Sequence, residues 1–107
     1  MEMYGVDSGL LDKKVADIQQ LTNEVLNLRH GDKDLLEQKE RALFGTINTV
    51  PFRFNYDRMW LQYLVAKQLD EIDLHTPPGT INIAHLVYEE LPKHRGNRPP
   101  ENLPHRI

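Results

Sequence analysis

The chain has 107 residues, 39% of them hydrophobic and 27% charged, with no cysteine and a formal net charge of −3. That is one domain's worth of chain around one core, and the missing thiols exclude disulfide scaffolds, zinc–thiolate sites and cysteine nucleophiles. No apolar run approaches the roughly 20 residues that span a bilayer, and the opening MEMYGVDSGLLDKK lacks the basic and apolar regions of a secretory signal. The expectation is a cytoplasmic protein with no membrane partner.

The charge is unevenly spread. Residues 1–91 are acidic, whereas residues 92–107 carry Lys93, Arg95, Arg98 and Arg106 against Glu101, with His94 and His105 in addition. An acidic body with a basic tail argues against broad nucleic-acid binding, which draws on phosphate neutralisation over a large surface.

The first predicted element is a helix from about Leu10 to Arg29. Leu11, Val15, Ile18, Val25 and Leu28 recur at steps of three, four and seven, with Leu21 on the same stripe. Asp7 or Ser8 is placed to cap it, and His30-Gly31 to end it. A second helix follows at once. Asp32 is its cap, Leu35, Leu36, Leu43 and Phe44 are its apolar contacts, Glu37, Lys39, Glu40 and Arg41 are expected to face water, and Gly45 is its stop signal. So short a turn makes the two helices antiparallel neighbours.

GTINTVPFRFNYD, residues 45–57, interrupts the helical pattern. Pro51 forbids a helix through it and pushes Val50 to an extended conformation. Phe52, Phe54 and Tyr56 alternate with Arg53 and Asn55, so residues 46–54 read as an extended connection or a short strand. GTIN recurs at residues 79–82. The copies do not extend into a longer repeat; paired as a two-stranded ladder, they would be marginal on their own.

A third helix is expected from about Tyr56 to Asp70, capped by Asn55 or Asp57, with Phe54 and Met59 in the positions of a hydrophobic staple. Met59, Trp60, Leu61, Tyr63, Leu64, Val65, Ala66 and Leu69 cover more than one of its faces, the mark of a central helix or one shared with a partner. Anions at a helix C-terminus cost roughly 0.3–1 kcal/mol each, so the acidic run at residues 70–75 has two readings: the helix ends before Asp70, which is the simpler one, or the run faces a basic partner or the chain's own basic tail. HTPPGT, residues 75–80, is a loop, and Thr80 is placed to cap a fourth helix from about Ile81 to Leu91, ended by Pro92. The domain is therefore 1–91. Residues 92–107, with four prolines and only Leu103 and Ile107 as aliphatics, form a tail too polar to order alone, flexible or docked on a partner. The fold class is mainly α: a four-helix small domain with an N-terminal antiparallel hairpin, the excursion at 46–54 and a disordered basic tail.

Catalysis finds no motif: no glycine-rich phosphate loop, no nucleophile elbow, one serine. His85 and Glu89 share a helical face and, with Asp70, Glu71, Asp73 and His75, sketch a carboxylate–histidine metal site. No HExxH or paired ExxH pattern accompanies them, so an exposed His beside an exposed Glu is the plainer reading and no cofactor is expected. The aromatic cluster is the strongest feature. Phe52, Phe54, Tyr56, Trp60 and Tyr63 fall within twelve residues, interleaved with Arg53 and Arg58. Such residues build a small core, or the anchors of a protein interface, or stacking platforms for bases.

The leading functional expectation is a non-enzymatic protein–protein interaction module, an adaptor, inhibitor or assembly subunit. Small acidic helical chains of this sort are common among phage accessory proteins. The near-heptad first helix and the wide apolar arc of the third favour self-association, most simply as a dimer. Its interaction residues are Phe52, Arg53, Phe54, Tyr56, Arg58, Trp60 and Tyr63, with Lys93, Arg95, Arg98 and Arg106 in the tail. The alternative is a nucleic-acid-associated protein using Arg53, Arg58 and the tail, and a third reading is a small metal-dependent hydrolase.

Overall fold

The computed structural model describes residues 8–28, 31–52, 54, 56–71 and 80–100. The fold is mainly α, built from four helices, with no strand among the described residues.

Helix α1 (Ser8–Asn27) buries Leu11, Val15, Ile18, Val25 and Leu26 along one stripe. Thr22 is buried on the same side and returns its hydroxyl to the Ile18 carbonyl at 2.7 Å, which satisfies the one polar group the stripe contains. The Gly31 amide donates to the Leu28 carbonyl at 3.0 Å and closes the turn. Asp32 then caps α2 (Lys33–Asn48), its carboxylate accepting from the Asp34 and Leu35 amides at 2.9 and 3.2 Å. The hairpin is the most extensive contact in the molecule. Lys39 crosses it to Glu24 at 2.7 Å, so Lys39 faces α1 rather than open water. Glu40, also expected at the surface, is buried.

Gly45 does not stop α2. Leu43 and Ile47 are both fully buried one turn apart, and that burial outweighs the roughly 0.5–1 kcal/mol a helical glycine costs. The helix leaves off at Asn48, so residues 45–48 are helical and the ladder between the two GTIN copies does not form; Gly79 lies outside the described residues. The extended excursion shrinks to a tight turn. Val50 is buried, and its carbonyl accepts from the Phe52 amide at 2.9 Å and from Arg58 Nη2 at 3.0 Å.

Helix α3 (Asp57–Glu71) buries Trp60, Leu61, Val65, Ala66 and Leu69. It passes Asp70 and reaches Glu71, both exposed, so water screens the carboxylates at its negative end. Asp57, expected as a cap, lies inside the first turn with its side chain buried.

Helix α4 covers residues 83–94 in three pieces: an α-helical turn Ile83–His85, a π-helical stretch Leu86–Glu90 and an α-helical end Leu91–His94. Its cap is Asn82, which accepts from the His85 amide at 3.1 Å, not Thr80. Pro92 does not end it. The Leu91 amide donates to the Leu86 carbonyl, five residues back, and this wider turn relieves the clash a proline ring makes with the carbonyl of an ordinary turn. Pro92 then stands at the start of the α-helical end, where its missing N–H costs least.

The helices meet through α1 with α2, α1 with α4, α2 with α3 and α3 with the C-terminal half of α4. Gln19 locks the α1–α4 contact: its amide nitrogen donates to the Ile81 carbonyl at 2.8 Å and its amide oxygen accepts from the Ile83 amide at 2.9 Å. Of the tail, residues 92–100 are described, with His94, Arg95 and Asn97 in contact with α3 and Pro99 buried; residues 101–107, Arg106 among them, lie outside the described residues.

Candidate functional site

The N-terminal end of α3 gathers most of the chain's large aromatics, and the structure divides them by direction. Trp60 is buried and Tyr63 is half-buried against it, edge-on at 5.6 Å between ring centroids and 85° between planes. Phe52 is half-buried and packs on the core. Phe54 and Met59, both 39% exposed, and Tyr56, 36% exposed, turn outward. The staple positions of Phe54 and Met59 are thus both open to solvent. Arg53 and Asn55 lie outside the described residues.

The C-terminal segment closes over this end of α3. The His94 imidazole stacks on the Trp60 indole at 4.0 Å and 18°. Trp60 Nε1 donates to the Asn97 carbonyl at 2.8 Å, which satisfies the one polar atom of the buried ring. Gly96 supplies the turn between them with φ at +89°, a conformation that strains any residue with a Cβ. Arg95 Nη2 reaches the Asp57 carboxylate at 3.3 Å, and the same guanidinium lies over the Phe54 ring at 4.2 Å from its centroid.

Asp57 is 1% exposed. Burial pushes its carboxyl above the ordinary value of 3.8, and the hydrogen bond and charge of Arg95 pull it back only in part. Arg95 is a quarter exposed, so the pair straddles the surface, with the carboxylate inside and the cation at the rim.

Two of the cations offered for nucleic acid are therefore engaged within the chain. Arg58 is directed at the Val50 carbonyl and Arg95 at Asp57. Lys93 pairs with Glu90 at 3.1 Å, and Arg98 is exposed. Compared with family models, with characterised proteins and with solved structures, the chain matches none.

A second polar cluster lies on α4. His85 stands 3.4 Å from Glu89 and 3.3 Å from Glu90. The Lys93 hydrogen bond outweighs the opposing effect of burial and, with the charges of Lys93 and His85, lowers the Glu90 carboxyl from 4.5. Such exposed ion pairs contribute little to stability. Among the described residues no three His, Asp or Glu side chains are grouped as metal ligands would be; Asp73 and His75 lie outside them.

What the residues combine into is an aromatic end on α3, covered at Trp60 by residues 94–97 and carrying Phe54, Tyr56 and Met59 exposed beside it. Asp57, Met59, His94 and Asn97 belong to it but are absent from the interaction residues expected above. Met59 was visible as a staple residue. No local pattern could place His94 on Trp60, since 34 residues separate them.

Proposed function

We propose that the chain is a non-enzymatic protein–protein interaction module, an adaptor, inhibitor or assembly subunit, that pairs with a second copy through Tyr56 and Met59 with Phe54 beside them. The observation that carries this reading is the exposure of three large apolar side chains within six consecutive residues, Phe54 to Met59, on the end of a well-buried helix. A two-fold contact would bring two such corners together.

The magnitude is modest. Full burial of a large apolar side chain is worth about 1.5–3 kcal/mol. Each of these is already more than half covered, so six of them contribute about 4–7 kcal/mol on pairing. Lost translational and rotational freedom costs about 4–15 kcal/mol. At the low end of that cost about 3 kcal/mol remains, so the self-association supported by this corner is weak and concentration-dependent, in the millimolar range. The nucleic-acid reading is less favoured, because Arg58 and Arg95 already have intrachain acceptors.

The test is Met59→Glu, which puts a charge on the exposed corner. The expected result is an unchanged thermal midpoint and loss of concentration-dependent mass in sedimentation equilibrium. Self-association identical to the parent chain sinks the assignment of this corner.

A further inference from the structure

We propose that the end of α3 formed by Phe54, Asp57 and Trp60 is a docking cradle whose occupant, the segment around His94–Asn97, is exchangeable between copies, so that one copy's segment seats on its partner's α3. The inference rests on the same self-association reading but on a different contact from the Met59 corner.

Three observations carry it. First, the cradle holds its segment with the contacts of an interface anchor. A tryptophan satisfied by a backbone carbonyl at 2.8 Å, a ring stacked at 4.0 Å and an arginine shared between a carboxylate and an aromatic face are the side-chain types that dominate association hot spots. Second, the pairing is complementary in charge. The segment brings Arg95 to a carboxylate that is fully buried and needs a cation from outside its own helix. Third, the connection behind the segment is a ready hinge. The π-helical stretch Leu86–Glu90 is followed directly by Pro92, which has no amide to lock the next turn. A bend at Pro92 would release residues 94–100 as a unit while Leu86, Val87 and Leu91, which precede it, stay in the core. Exchange of an element between identical chains then creates a dimer without any new type of contact.

The experiment uses full chains carrying Met59→Glu throughout, so that the apolar corner is silent. In that background D57R and R95D each place like charges across the cradle within their own chain. Mixed, they complement: the D57R cradle faces the R95D segment, and the R95D cradle faces the D57R segment. The expected result is a 1:1 complex of twice the chain mass on mixing, with each variant alone at the mass of one chain. A mixture that stays at single-chain mass, while the double variant D57R/R95D is folded, overturns the proposal and leaves the segment an intrachain contact only. If any of these three variants is unfolded by circular dichroism, a second measurement decides. A peptide of residues 91–100 is titrated into full-length R95A, with the single tryptophan, Trp60, as the fluorescent reporter. A saturable change, weakened at least tenfold when the peptide itself carries R95A, supports exchange. No saturable change, or equal binding of both peptides, refutes it. Because Met59→Glu is present throughout, failure here does not touch the apolar-corner reading, and failure of that corner in the parent chain does not touch this one.

Discussion

Gln19→Leu removes the clamp between α1 and the start of α4. The parent amide makes one donor and one acceptor contact to the backbone, at 2.8 Å to the Ile81 carbonyl and 2.9 Å from the Ile83 amide. The opposite orientation of the amide would set its NH2 against an N–H, so the partners fix which atom is which. Ile81 and Ile83 are both buried, and the Ile83 amide is among the first of α4, with no intrahelical acceptor. Leucine keeps the bulk but leaves a donor and an acceptor without partners. Each costs about 1–3 kcal/mol, at the low end here because Gln19 is half-buried, for a total of about 2–3 kcal/mol. In a domain of this size that lowers the melting temperature by about 8–20 °C. Thermal unfolding followed by circular dichroism at the helical minimum reads it. Gln19→Glu, which keeps the acceptor and loses the donor, should fall between parent and leucine variant. A leucine variant melting within about 2 °C of the parent would refute the reasoning, because the backbone groups would then have found other partners at no cost.

Gly45→Ala should stabilise the chain by about 0.5–1 kcal/mol, since Gly45 is a helical residue around which an added Cβ meets nothing within 4 Å; chemical denaturation measures it, and a lower midpoint would mean that α2 does not run through residue 45. Trp60→Ala should cost about 3–5 kcal/mol from the emptied core site, and loss of the Tyr63, His94 and Asn97 contacts together should appear as collapse of chemical-shift dispersion in all three residues. Arg95→Met should cost about 3 kcal/mol, because it strands a buried carboxylate. The pH dependence of Asp57 has a definite sign. Its folded value lies above 3.8, so the native state holds the proton more tightly than the unfolded chain, and its contribution is fully present below 3.8 and lost as pH rises through the folded value. Arg95→Met should move that loss to higher pH, and Asp57→Asn should abolish it; a denaturation series across pH 3–7 in which the Asn variant keeps the parent's slope contradicts the assignment.

The hairpin was legible because its signals are local. Asp32 caps as its position suggests, and the stripe Leu11–Val15–Ile18–Val25 is the stripe that packs. Helix ends were misjudged where burial overrode a single breaker. Gly45 is carried through by Leu43 and Ile47, and Pro92 by a wider turn that no propensity scale announces. Glu40 reads as a surface residue and Asp57 as a cap because their burial depends on what the fold brings over them; for Asp57 that includes an arginine 38 residues away. The aromatic cluster was visible as a cluster. Its division into inward Trp60 and Tyr63 and outward Phe54, Tyr56 and Met59 was not, because residues 94–97, read from composition as tail, decide which ring is covered.

The central claim is self-association through the exposed end of α3, and its most direct test is sedimentation equilibrium of the parent chain and Met59→Glu over a wide concentration range. The account predicts a parent mass that rises with concentration from the 12.5 kDa of one chain toward twice that value, and a variant held near one chain. A parent chain that stays at 12.5 kDa up to millimolar concentration would contradict it.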